Sequence, residues 1–178
     1  MEEKDFTINY YNYLIPYTLN CVKIIEDSDT FKHSLRVAKI AQEYFTRYKL
    51  YGDEVVLTEI DYAKLYAVAL LHDVVEFEPE SEKWVKDVYS KDVYEAVLAL
   101  TRPSSVTYID YIHFIIDGNV WGQIIKVADL IDHLKQKETL TSTLKERYKK
   151  AWGLLVQEYD SFVDQKISII VDKIDFEI

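Results

Sequence analysis

Residues 67–75, Ala-Val-Ala-Leu-Leu-His-Asp-Val-Val, are the most apolar stretch of this chain, and an adjacent His72–Asp73 pair sits inside it. The stretch closes a segment from about Glu59 to Glu76 whose second half is apolar on nearly every side. A helix of that kind has no face to show to water, so the chain must fold around it as a central buried element. An ionised carboxylate in such a place is strongly unfavourable unless it is paired, hydrogen-bonded or bound to a metal. Whatever packs around this helix must therefore meet the His72–Asp73 pair.

The rest of the chain reads as the helices that do the packing. With 178 residues but only 4 Gly and 3 Pro, it is poor in the residues that punctuate turn-rich β folds. Apolar spacing and capping residues predict helices over about Asn9–Glu26, Phe31–Leu50 and Glu59–Glu76, with Gly52–Asp53 as a break between the last two. Pro79 ends the third, and shorter helices follow over Ser81–Val88, Lys91–Leu100 and Tyr108–Ile116. Val120–Lys137 and a long segment from Thr141 to about Asp172 complete the series. No segment alternates convincingly with period two, and there is no repeat, low-complexity tract or linker. The expected fold is all-α, in one domain spanning 1–178, a length that buries a substantial core.

Charge and cysteine usage narrow the function. A net charge of −10 disfavours a binder of nucleic-acid polymers or anionic membranes, while leaving room for a small phosphorylated molecule held by a few local cations. The single cysteine, Cys21, cannot pair within the chain and suits a reducing compartment. No apolar run approaches the roughly 20 residues of a membrane span, and Met1-Glu2-Glu3-Lys4-Asp5 does not open like a signal peptide. The expectation is a cytoplasmic protein without a membrane partner. The 15 tyrosines read as half-buried packing residues, and such a surface could support a homodimer.

A second isolated acid, Asp129, lies within Ile124-Ile125-Lys126-Val127-Ala128-Asp129-Leu130-Ile131, and His33 lies on an upstream helix. His33, His72, Asp73 and Asp129 are candidates to share one divalent cation, because imidazole nitrogen and carboxylate oxygen suit such ions. On a regular helix the consecutive His72 and Asp73 would diverge by about 100°, so both reach one ion only near a helix end. Glu76, four residues after His72, falls on the same face, where it can orient a water or accept its proton. Arg36 and Lys126 sit three residues from His33 and Asp129, and His133 four residues after Asp129. Each of these has an ordinary reading too. A lone His-Asp dipeptide is usually a hydrogen-bonded core pair, and a lone Arg or Lys usually a solvated side chain. The run Lys145-Glu146-Arg147-Tyr148-Lys149-Lys150 reads as an exposed helix face rather than a binding patch.

The order His33, then His72–Asp73, then Asp129 resembles the metal-binding signature of the HD superfamily. Leu70-Leu71-His72-Asp73-Val74-Val75-Glu76 is similar to the LLHDVVE segment of the hydrolase domain of the (p)ppGpp synthetase/hydrolases, and Lys126-Val127-Ala128-Asp129-Leu130 to their KLAD segment. A closer likeness is to small stand-alone HD phosphohydrolases, which share an LTR…TYxxYI segment, here Leu100-Thr101-Arg102 and Thr107 to Ile112, and a KxADLxDN segment, here Lys126 to His133. The resemblance runs from about Phe31 to Lys150, the motif-bearing core of the single domain. It implies His33, His72, Asp73 and Asp129 as ligands of one divalent metal, commonly manganese in the (p)ppGpp hydrolases, with Fe, Co, Ni or Zn as the other candidates. It implies Glu76 as the carboxylate working on the attacking water.

Two departures bear on the substrate. The (p)ppGpp hydrolases follow that Glu with an Asp, where this chain has Phe77, and they carry Asn where this chain has His133. Both weigh against dedicated (p)ppGpp hydrolysis and leave the metal set intact. HD proteins with two metals supply two further histidines before the final Asp, and this interval contains only His113, so one metal is expected. The function expected is a metal-dependent phosphohydrolase acting on a small nucleotide or related phosphate ester. Glu76 handles the proton, while Arg36, Arg102, Lys126 and His133 contact substrate. The alternatives are a (p)ppGpp pyrophosphohydrolase, a catalytically silent nucleotide-sensing module, or a scaffold with no metal.

Overall fold

A computed structural model describes residues 6–44, 47–50, 53–136, 138 and 140–159. The central segment becomes α3 (Glu59–Leu71), opened by a reciprocal cap: the Thr58 hydroxyl accepts the Asp61 N–H, and the Asp61 carboxylate accepts the Thr58 N–H at 2.9 Å. Its residues Leu65, Leu70 and Leu71 retain no solvent exposure. Each buried leucine contributes about 1.5–3 kcal/mol of transfer free energy. That burial comes from four neighbours: α1 (Ile8–Ile25), α2 (Ser28–Tyr44), α6 (Lys91–Leu100) and α8 (Val120–Lys135). The fold is all-α, as its composition requires.

α8 carries the densest share of the core, with Ile124, Ile125, Leu130 and Ile131 all essentially fully buried. Asn119 caps it by accepting the Trp121 and Gly122 N–H groups. Gly122 lets α8 approach α6 closely, since a Cβ there would stand 3.4 Å from the Ala99 Cβ and 3.5 Å from the Ala96 carbonyl oxygen. α8 also packs on α2, while α7 (Tyr108–Ile116) and α9 (Ser142–Tyr159) pack on each other and on α8. Two consequences follow for the site. Residues of α2, α3 and α8 face one another through the core, and α7 and α9 stand at its margin.

Helix bounds match the sequence reading closely for α1, α7, α6 and the short α5 (Ser81–Val88). They differ at two places. The helix expected over Phe31–Leu50 stops at Tyr44, and Arg47–Leu50 instead forms β1, paired antiparallel with β2 (Asp53–Val56) from Arg47↔Val56 to Leu50↔Asp53. The physical reason is local: Tyr48, Leu50, Val55 and Val56 are strand-favouring residues flanking Gly52–Asp53, and β pairing there replaces the last turns of the helix. The helix expected to run to Glu76 is interrupted at His72–Asp73, before α4 (Val74–Phe77) adds one turn. The last long helix is described to Tyr159, and its expected continuation to Asp172 lies outside the described residues; α8 ends at Lys135 with Gln136 as its C-cap, and Lys137 lies outside the described residues. No helix among the described residues is long and apolar enough to cross a membrane.

Candidate metal centre and adjoining cleft

The break in the central helix falls on the functional pair. His72 keeps right-handed backbone angles (φ −61°, ψ −29°), but Asp73 opens to φ −102°, ψ −11° before α4 begins. This irregularity does what a continuous helix could not: the Asp73 Oδ2 comes within 3.3 Å of the His72 Nε2. His72 is buried and Asp73 is partly exposed, with 28 % of its side chain accessible.

Three ligand atoms converge beside this turn. One atom each of His33 from α2, His72 from the end of α3 and Asp129 from α8 all lie within 4.8 Å of one another, and all three residues are buried. Hydrogen bonding on the far side of each ring sets its chemistry. His33 Nδ1 donates to the Asp132 Oδ2 at 2.8 Å, and His72 Nδ1 donates to the Ala69 carbonyl at 2.7 Å. With the proton on Nδ1, each ring in its neutral form turns an Nε2 lone pair towards the centre. His33 Nε2, His72 Nε2 and Asp129 Oδ1 are all buried without a hydrogen-bond partner. His33 Nε2 and Asp129 Oδ1 stand only 3.1 Å apart. Buried acceptors facing one another are unfavourable by themselves and favourable around a cation, so this donor set fits a divalent metal.

The electrostatics carry the same demand for positive charge. Burial raises the Asp129 carboxyl, but Lys126, with its Nζ 2.6 Å from Oδ2, and the flanking histidines outweigh it and hold Asp129 well below the usual carboxylate range. Burial lowers His33, yet the Asp129 and Asp132 carboxylates overcome it and raise the imidazole to about 10. A metal ligated at Nε2 would replace that proton. Asp132 is fixed in turn by Arg36, whose Nε and Nη2 donate to its two oxygens at 2.8 and 2.9 Å.

An open cleft of about 170 Å³ adjoins the centre, reaching His72 and Asp73 on one side. Glu76, Arg102 and Lys126 line it, so the expected proton-handling carboxylate and two of the four expected contact residues share one space. The Glu76 Oε1 accepts the Arg102 backbone N–H at 2.7 Å, tying α4 to the loop after α6. His133 flanks the centre and is not among the residues lining the cleft, with its Nε2 3.1 Å from the Asp129 Oδ1 and its ring stacked on Tyr148. Arg36 is placed elsewhere: its guanidinium is engaged by Asp132 and does not line the cleft. His113 is exposed on α7 and joins no ligand group.

With Leu100, the residues Tyr108, Tyr111 and Arg147 complete the lining, and none of these was among the expected site residues. The two tyrosines are those of the TYxxY segment quoted above, which was the available signal. Arg147 belongs to the basic run read as a solvated face. It is exposed, but it lines the cleft with its Cζ 5.3 Å from the Tyr108 ring centre. That correction needs the packing of α9 on α7, which no local pattern reveals.

Residues 30–139 match the HD domain, well over half of the chain. The chain belongs to the HD-domain family. Members are generally metal-dependent phosphohydrolases that bind a divalent cation through histidine and aspartate, and His33, His72 and Asp129 of this HD domain are a set that can hold one. α9, which supplies Arg147, lies beyond the matched region. No curated protein matches the chain.

Proposed function

We propose that this HD domain hydrolyses a phosphate ester or anhydride of a small nucleotide or related compound, using one divalent cation, with manganese the first choice. The observation that carries the reading is the convergence of three buried, unpartnered ligand atoms from α2, α3 and α8. Asp73 stands at the edge of that set as a fourth donor, beside His72 and open to the cleft. When bound, the cation supplies Lewis acidity to a phosphoryl oxygen and to water. Glu76 lines the same cleft with one oxygen anchored on the Arg102 N–H, so its carboxylate is held in place to take a proton from the attacking water. Lys126 and Arg102, which both line the cleft, offset phosphate charge. Arg36 positions Asp132, and through it His33, rather than substrate. His133 flanks Asp129 where a substrate oxygen would enter.

A manganese-supplemented screen over nucleoside mono-, di- and triphosphates and (p)ppGpp tests the proposal. The expected outcome is release of phosphate or pyrophosphate that falls about 10²–10⁴-fold in Glu76→Gln, with metal uptake unchanged. Nucleotide binding without turnover for any divalent metal would instead support a sensing module. A chain that takes up none of Mn, Fe, Co, Ni or Zn would remove the metal reading altogether.

A further inference from the structure

The cleft brings three cations together beside two acids, Asp73 and Glu76. The protein carries a net charge of −10, yet Arg102, Lys126 and Arg147 all line one small space. Lys126 is committed to Asp129 in the metal centre. The other two are not so committed: among the described residues neither guanidinium pairs with a carboxylate. Glu76, the nearest acid to Arg102, takes its backbone N–H instead, and the Arg102 Nη1 donates to the Val106 carbonyl at 2.8 Å. A guanidinium has five N–H donors, so most of this one remains available. Tyr108 lines the same space as both arginines. The Arg147 Cζ is 5.3 Å and the Lys126 Nζ 5.7 Å from its ring centre, and its hydroxyl is buried without a hydrogen-bond partner. Burial pushes that hydroxyl up to about 12, so it keeps its proton and can donate.

Size adds a second constraint. Sites that enclose a whole small molecule run to about 300–1,000 Å³. The cleft holds about 170 Å³, room for linked phosphoryl groups but not also for a sugar and base. We propose that Arg147, Arg102 and the Tyr108 hydroxyl form a second phosphoryl subsite beside the metal centre. The substrate class is then a nucleotide or similar ester with at least two linked phosphates, gripped by its phosphate end with the base outside the cleft. This rests on the phosphohydrolase reading above and sharpens it to di- and triphosphates over monophosphates. It also makes α9, outside the matched HD region, the element that sets the preference.

Calorimetric binding of inorganic pyrophosphate and of orthophosphate to the full chain, in matched manganese-containing buffer, tests the subsite. Pyrophosphate is expected to bind at least about tenfold more tightly, the scale of one charge-assisted contact. Arg147→Ala should weaken pyrophosphate by about ten- to a hundredfold and leave orthophosphate nearly unchanged. Arg147→Lys should recover only part, because a point charge lacks the two-pronged geometry. Equal binding of the two probes, or an unchanged ratio in Arg147→Ala, overturns the subsite. Turnover confined to one nucleobase overturns the placement of the base outside. The two proposals fail separately. A pyrophosphate preference without metal uptake sinks the phosphohydrolase reading alone, and metal uptake without that preference sinks only this one.

Discussion

The two halves of this site are built in opposite ways. The cradle of His33, His72, Asp129 and Asp132 is carried by α2, α3 and α8, the helices that make the core, and all four residues are buried. The cleft wall of Glu76, Arg102 and Arg147 comes from a one-turn helix, a loop and a marginal helix, and all three residues are exposed. A change in the cradle disturbs packing and charge together, since each group there answers another. A change in the wall touches little but the ligand. The difference teaches that the cation site is part of what holds the fold together, whereas the substrate wall can vary without cost to folding. Surface substitutions of the second kind typically move stability by no more than about 0.5 kcal/mol.

The sharpest way to break that comparison is Asp129→Ala. It removes a ligand and also strands Lys126, which is largely buried and has its Nζ 2.6 Å from that carboxylate. Taking one partner from a buried ion pair costs about 3–5 kcal/mol. Metal binding should be lost outright, and urea unfolding should show a loss of that size even in metal-free buffer. Glu76→Gln, by contrast, should unfold within about 0.5 kcal/mol of the parent. If both variants were equally stable, the cradle would be no more built into the fold than the wall is.

The same division explains what could be read in advance. His72 and Asp129 stand out in sequence because polar groups in apolar helices are energetically misplaced, His33 joins them through the order of the HD signature, and the structure brings those three together. Short helices such as Ser81–Val88 and Lys91–Leu100 were legible from periodicity and flanking breaks. The hairpin at Arg47–Val56 was not, because its strands are only four residues long and a helical reading of the first was equally consistent with the pattern. Asp132 was visible beside Asp129, but its grip on both His33 and Arg36 depends on α8 facing α2. Arg147 looked like any solvated charge until α9 was packed beside α7. Glu76 was legible from its spacing to His72 and Arg102 from the family resemblance, whereas an exposed residue such as Arg147 carries no energetic mark of its role and needs the tertiary structure.

Glu26 gives a pH test of how dry the cradle's surroundings are. It caps α1, is buried, and accepts the Ser34 hydroxyl at 3.2 Å. Burial, and then the nearby Asp73 carboxylate, push it up from 4.5 to about 7 despite that hydrogen bond. A carboxyl raised on folding binds its proton more tightly in the folded state. Its contribution is therefore fully present below the unfolded value and is lost as pH rises through about 7. Metal-free protein should lose about 3–4 kcal/mol across that window on this account, at about 1.4 kcal/mol per unit. Glu26→Gln should flatten that part of the stability profile and be the more stable form at pH 8. An unchanged slope would show that water reaches Glu26 and that the dry region ends short of it.

The smallest effect separates holding a ligand from being one. Asp132 contributes no atom to the converging set, yet its carboxylate fixes the His33 ring by accepting from Nδ1 and is itself clamped by two Arg36 donors. Burial raises its carboxyl, but His33 and Arg36 prevail and hold it below the ordinary range, so it is the charged form that does the fixing. Asp132→Asn keeps the shape and leaves one oxygen to accept from Nδ1, but it removes the charge that makes the imidazole a better donor of its Nε2 lone pair. Such changes behind a ligand typically weaken metal binding about 10–100-fold. Titration with manganese should show that loss, while turnover at saturating metal stays close to the parent because Glu76 and the cleft are untouched. A loss of turnover that excess metal cannot restore would place Asp132 among the groups that touch substrate, and the boundary between cradle and wall would then have to be drawn through α8 itself.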